Sequence, residues 1–472
     1  MKNRLITVLV GILCLSMASC NKIPTQNKAL DPDDPITVTV WDYYNGTVKD
    51  RFDELVLEFN DTIGTEKGIV VEAQSYGDVN ELADALFSSA SKEIGSLPMP
   101  DVFAAYPDNV FRVNQITEMV NLRDYFSEEE LGEIRPEFLE EGIFGEDQEL
   151  KILPIAKSTE NLYLNKTFWD DFANESGATL DRLTTWEGLV KTAEEYYEYT
   201  GKAFFGIDAT ANFMLISAMS LGEEIYSYQG DQGILNLSEE TAYRIWSNYY
   251  IPYIKGYYAK IGRFSSDDAK IGQIAAYTGS TAGASYFPQE VTEGDVSIPI
   301  EVITLPYPYY EGGKPFAVQQ GAGMCITRSD DAHEYAASVF LKWFIDTPQN
   351  IDFAVSTGYL PVKSQNLKSD TILSRVAGDS LANKAVQKSI ATTMEMFENY
   401  TLYGNKPFQG SYEARSILEK NIFDKVKGDL KLLKERVDNG EDRNTVVNEL
   451  ISKEQFLNWY QDFTKDINTT LE

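Results

Sequence analysis

At 472 residues, with 73 acidic residues against 41 basic ones and a net charge of −32, the chain presents a surface that repels phosphate backbones and argues against a nucleic-acid partner. One histidine and three cysteines form no H-E-x-x-H or C-x-x-C pattern, and no D-x-[DN]-x-[DN]-G loop is present, so no metal is expected. No G-x-x-x-x-G-K-[ST] or G-x-G-x-x-G cradle occurs either, and no cofactor is expected.

Lys2 and Arg4 precede an apolar run over residues 5–15, which ends in Met17-Ala18-Ser19-Cys20. A run this short reads as a secretory signal, because a membrane span needs ~20 apolar residues. Small residues directly before a cysteine resemble a bacterial lipobox. That resemblance implies cleavage after residue 19 and a palmitate-type lipid on Cys20 that anchors the chain to the outer face of the cell membrane. Residues 21–35, with three prolines and no periodicity, read as a tether with a coil reach on the order of 20 Å. Once Cys20 is lipidated, Cys325 is left alone and no internal disulfide can form.

ITVTVW (36–41) is predicted as a strand, and Val48, Phe52, Leu55, Val56 and Phe59 follow at helical spacing. IVVEAQSY (69–76) and PDVFAAY (100–106) repeat the alternation, each followed by helix-like sequence. Further strands are expected at 152–156, 204–208, 274–279, 301–308 and 323–328. Helices are expected at 185–199, 331–346, 348–357, 411–436 and 442–461. Alternation of this kind predicts an α/β fold in which mainly parallel sheets are covered by helices on both faces. Ligands of such sheets sit beyond the carboxyl ends of the strands. Here those ends read Trp41-Asp42-Tyr43-Tyr44, Tyr76-Gly77-Asp78 and Tyr106-Pro107-Asp108. Glycine and proline cluster at 306–315, which suggests a crossing between two lobes.

The 28 tyrosines stand out in the composition. Aromatic faces stack on the apolar patches of sugar rings, and a phenol adds a hydrogen bond. Trp41, Tyr43, Tyr76 and Tyr106 are therefore candidate binding residues, with Asp42, Asp78 and Asp108 as hydroxyl acceptors. Gly279-Ser280-Thr281-Ala282-Gly283 fails the G-x-S-x-G pattern, so Ser280 and Thr281 read as hydrogen-bonding groups. His333, the single histidine, reads as a solvated helix residue and gives no triad.

Several stretches, taken in order, resemble the family-1 extracellular solute-binding proteins of the maltose- and glycerol-3-phosphate-binding type. They are Lys157-Ser158-Thr159-Glu160 with NLYLNKTFWDDF, TTWEGL (184–189), IAAYTGSTAG (274–283), VQQGAGMCITRS (318–329), FLKWFIDTPQN (340–350) and STGYLPV (356–362). The resemblance implies a two-lobed, type II periplasmic-binding-protein fold with a hinge. Residues 36–155 plus 314–347 would form one lobe and 156–313 plus 348–472 the other. It implies that Ser158, Thr159, Ser280, Thr281, Gln320, Gly321 and Tyr359 face a ligand. The segment 400–405 has no arginine, and Tyr403 stands where the glycerol-3-phosphate branch carries one, which suits a neutral sugar or polyol. The expected partners are that ligand and the transmembrane subunits of an ABC importer, with the chain itself a monomer and not an enzyme. A lipid-anchored carbohydrate-active enzyme, which would need a carboxylate pair across the cleft, and a sensor lipoprotein that presents ligand are the alternatives.

Overall fold

The computed structural model describes residues 30–145, 147–293, 296–367, 369–378 and 384–471; the signal segment, Cys20 and most of the tether lie outside them. Chain order begins β1 (Ile36–Asp42), α1 (Gly46–Phe59), β2 (Ile69–Ser75), α2 (Val79–Ala90), β3 (Val102–Ala105) and α3 (Pro107–Asn114). It continues with β4 (Glu160–Asn165), α4 (Trp186–Thr200), β5 (Phe205–Ile207), α5 (Thr210–Ser220), β6 (Ala276–Ser280) and β7 (Val302–Leu305). The remainder is β8 (Phe316–Val318), β9 (Gly323–Ile326), α6 (Asp331–Phe344), α7 (Thr347–Thr357), α8 (Lys384–Asn399), β10 (Thr401–Tyr403), α9 (Ser411–Asp438) and α10 (Lys453–Leu471). Shorter helices and hairpins connect them.

Two four-stranded sheets organise the molecule, ordered β9-β3-β1-β2 and β7-β4-β6-β5. In the first, β1 pairs in parallel with β2 from Ile36↔Ile69 to Asp42↔Ser75, and with β3 from Val40↔Val102. Val38, Val40, Val102 and Phe103 are fully buried, as expected of parallel strands covered on both faces. The second sheet is mixed: β6 runs parallel to β5, but β4 is antiparallel to both β6 and β7. The first sheet lies within one apolar cluster, while the second sheet contributes to two, with Tyr163, Tyr277 and Val302 in the first and Leu162, Leu164 and Ala276 in the second. Phe52, Phe103 and Phe344 lie in the first, Trp186, Trp246 and Phe463 in the second.

Several expectations are corrected. Residues 152–156 form only a bridge from Leu153 to Met324, since Pro154 cannot donate to a ladder. Glu160–Asn165, which follows the bridges of Lys157 to Leu360 and Ser158 to Gln320, is a strand buried along its whole length. Residues 306–315 do not cross between lobes, because Tyr307 and Tyr310 are packed into the second cluster. The crossing lies just beyond them, at Gln319–Gly321. The expected lobe boundaries move accordingly. β8 pairs with β10 in the second lobe, and α7 lies with the first, its Phe353 ring 6.3 Å from Phe52. The helix expected at 442–461 is two, Arg443–Leu450 and Lys453–Leu471.

Candidate functional site

The strand ends of the first sheet form one wall of a cleft. Asp42, fully buried at the end of β1, accepts from Tyr44 N at 2.9 Å, while its Oδ2 has no partner. Burial pushes its carboxyl up to about 6. Tyr43 and Tyr106 reach across to the second crossing segment: Ala322 N donates to the Tyr43 hydroxyl at 3.3 Å, and Gly321 N to the Tyr106 hydroxyl at 3.2 Å. Tyr359, from the turn after α7, bonds the Tyr43 hydroxyl and stacks on Phe353. Burial pushes all three phenols up, so they stay protonated. Pro107 opens α3, where its missing N–H costs nothing, and sets Asp108 in the first turn. Burial raises the Asp108 carboxyl against the pull of Arg415 and Arg112.

The floor is made where chain segments pass between the lobes. Ser158 and Gln320 exchange backbone hydrogen bonds of 2.9 and 2.8 Å, and Lys157 pairs the same way with Leu360. Gly321 holds φ at +89°, and a Cβ there would lie 2.3 Å from Ala156 O, so only glycine fits. Lys157 Nζ donates to Gly321 O at 3.2 Å and is paired with Glu141, both side chains being buried.

The opposite wall belongs to the second sheet. Thr281 N donates to Thr159 O at 2.8 Å, and Thr159 N to Thr281 Oγ1 at 3.3 Å. Ser280 ends β6, and its carbonyl accepts from the Tyr163 hydroxyl at 3.2 Å. Glu160, the first residue of β4, accepts on one oxygen from Asn212 Nδ2 and Gln320 Nε2, both at 2.8 Å. Burial pushes the Glu160 carboxyl up to about 7, with Asp208 and Glu419 adding to the shift and Asn212 and Arg415 opposing it. Across the opening, the Arg112 guanidinium lies 4.4 Å over Phe87 and 3.8 Å over Tyr412 of α9. Arg263 pairs with Asp78 at 3.0 Å. The lobes therefore touch at the rim.

The structure thus brings Tyr43, Tyr106, Ser158, Gln320, Gly321 and Tyr359 to one place, with Thr159, Ser280 and Thr281 beside them. Asp78 lies at the rim, where it also caps α2 through Asn80 N and Glu81 N. Trp41 is buried, 4.8 Å from the half-buried Tyr76, so the indole packs on protein. Tyr403 is 7% exposed within the second cluster, and its hydroxyl bonds Tyr228. His333 sits in the first turn of α6, paired with Asp330. Sequence reasoning missed Glu160, Asn212, Arg415 and Arg112. A signal existed for two of them. Glu160 introduces a wholly buried strand, and Arg415 is a cation near a helix N-terminus, where the macrodipole disfavours it.

The fold and cleft define a type II periplasmic binding protein, built to hold a small molecule between two lobes. Residues 54–376 match the bacterial extracellular solute-binding proteins, and the chain belongs to that family. It is accordingly an extracytoplasmic solute-binding protein. No curated protein matches it in sequence. The cyclic alpha-maltosyl-1,6-maltose binding protein of Arthrobacter globiformis has the same fold at 17% identity, with a TM-score of 0.65 over 93% of this chain and 99% of that one. An ABC substrate-binding protein of Listeria monocytogenes in complex with cycloalternan is 15% identical at a TM-score of 0.65, over 93% and 99%. UgpB of Mycobacterium tuberculosis, in complex with glycerophosphocholine, is 18% identical at 0.64, over 85% and 98%.

Proposed function

We propose that the protein captures a sugar or related polyol between its lobes and delivers it to the transmembrane subunits of an ABC importer, while a lipid on Cys20 holds it to the membrane. The observation that carries the reading is the meeting of three protonated phenols, Tyr43, Tyr106 and Tyr359, with the Ser158–Gln320 crossing. Phenol rings cover the apolar face of a sugar, and neutral donors and acceptors match its hydroxyls. Two of the structurally similar proteins are described with saccharides, which supports the choice of ligand class. The chain works as a monomer and by binding alone. Closure of the lobes on a ligand buries its surface and creates the shape that a permease reads.

A thermal-shift screen of the purified protein against neutral oligosaccharides, polyols and glycerol phosphates tests the reading. A saturable rise with a neutral class is the expected result. A rise with none of them, or release of shorter sugars from any glycan, would refute it. Mass spectrometry of the membrane-bound form should find acyl chains on Cys20, and Cys20→Ala should release the protein in soluble form.

A further inference from the structure

Four side chains, from three elements and the crossing segment, form one bonded series through the base of the cleft. Arg415 Nη2 of α9 donates to Asn212 Oδ1 of α5 at 2.9 Å. Asn212 Nδ2 and Gln320 Nε2 both donate to Glu160 Oε1, each at 2.8 Å. A carboxyl oxygen that accepts from both amides fixes how each amide faces. Gln320 accordingly turns Nε2 toward Glu160 and Oε1 away from it. At the two ends of the series, one buried atom is left without a partner: Arg415 Nη1, which can only donate, and Gln320 Oε1, which can only accept. Thr159 Oγ1, next in the chain to Glu160, is a third such atom and can do either. The charge of Arg415 opposes, on both walls, the burial that raises Asp108 and Tyr106 in the first lobe and Glu160, Tyr226 and Tyr403 in the second. It stands between the lobes.

We propose that Arg415 and Gln320 are a matched donor and acceptor that select a ligand hydroxyl, so that Arg415 determines specificity for neutral polyols and does not anchor an anion. The proposal rests on the sugar-or-polyol reading of the cleft and deepens it. The selection works through hydrogen-bond polarity. A hydroxyl, or two adjacent ones, accepts from Nη1 and donates to Oε1, and leaves neither atom stranded. A phosphate or carboxylate only accepts, so Oε1 remains unpaired, and its charge comes close to the Glu160 and Asp108 carboxyls. An ammonium group only donates, which strands Nη1 and sets a cation against Arg415. A stranded buried group is what makes a polar site reject the wrong ligand.

The test is isothermal titration of the full protein with maltotriose, mannotriose and ribitol as neutral probes and with glycerol 3-phosphate and glucosamine as charged ones. Wild type, Arg415→Lys and Gln320→Ala are compared, with unliganded melting curves to confirm that each variant folds. Arg415→Lys keeps the charge but loses the fork that holds Asn212 and frees Nη1. We expect at least one neutral probe to bind, with each variant weakening it about tenfold or more, which is about 1.4 kcal/mol. Gln320→Ala alone decides the matter should Arg415→Lys fail to fold. Unchanged affinity for that probe in the folded variants would overturn the proposal. So would tighter wild-type binding of glycerol 3-phosphate or glucosamine than of every neutral probe, although solute capture would still stand. Binding of no probe would overturn the sugar-or-polyol reading and this proposal together.

Discussion

Replacement of Glu160 by glutamine should make the protein more stable by a margin that grows as the pH rises from mild acid to alkaline. The Glu160 carboxyl is raised from 4.5 to about 7, chiefly by burial. A folded-state value above the unfolded one means that folding favours the protonated form. Its contribution is fully present below about pH 4.5 and is lost as the pH rises through about 7. Each pH unit of displacement is worth about 1.4 kcal/mol. Between pH 5.5 and pH 8 the wild type should therefore lose about 2 kcal/mol that the Glu160→Gln protein keeps. The amide retains an oxygen that can accept from Asn212 and Gln320, so packing and hydrogen bonding are preserved. Asp42, Asp108 and Asp208 are also raised by burial, but they titrate in both proteins and largely cancel in the difference. Urea denaturation followed by fluorescence of the 6 tryptophans at the two pH values gives the measurement, well above the isoelectric point of about 4.4. A stability difference that does not change with pH, or that favours the wild type at pH 8, would contradict a raised Glu160 carboxyl.

Other substitutions probe the crossing and the rim. Gly321→Ala should cost about 2–4 kcal/mol, from the positive φ and the clash with Ala156 O, seen as a lower melting temperature. Lys157→Met should cost about 3–5 kcal/mol at neutral pH, because it leaves Glu141 buried without its cation, and denaturant titration would show it. Arg263→Ala removes a pair whose arginine is largely exposed and should cost under about 1 kcal/mol. Its effect should appear instead in small-angle scattering, as a larger radius of gyration at low salt.

Much of the first lobe was legible because its strands alternate cleanly with amphipathic helices. Val38 and Val40 alternate inward in β1, and Asp78 and Pro107 punctuate the next two helix starts. The second lobe was harder to read. β4 begins with a glutamate and an asparagine, ENLYLN, which look like exposed loop until Asn212, Gln320 and Ser389 are seen to pair them. α5 is buried on nearly every side, so it lacks the apolar stripe by which a helix is recognised. The tyrosines at the strand ends were found from the rule that parallel sheets bind ligands there, and Tyr43 and Tyr106 do meet the crossing segment. Trp41 obeys the same rule in sequence, yet its ring turns into the core against Tyr76, and no local pattern distinguishes the two outcomes. Arg415 lies more than two hundred residues from Asn212 and Glu160, and only the fold brings the three together.

The most direct test of cleft capture is calorimetric titration of the purified protein with neutral oligosaccharides and polyols, repeated at several temperatures and with Tyr106→Ala. The account predicts saturable binding of one ligand per chain, a negative heat-capacity change from buried ring surface, and a loss of about tenfold or more in the variant. Binding that Tyr106→Ala leaves unaltered, or the absence of heat with every member of the panel, would contradict it.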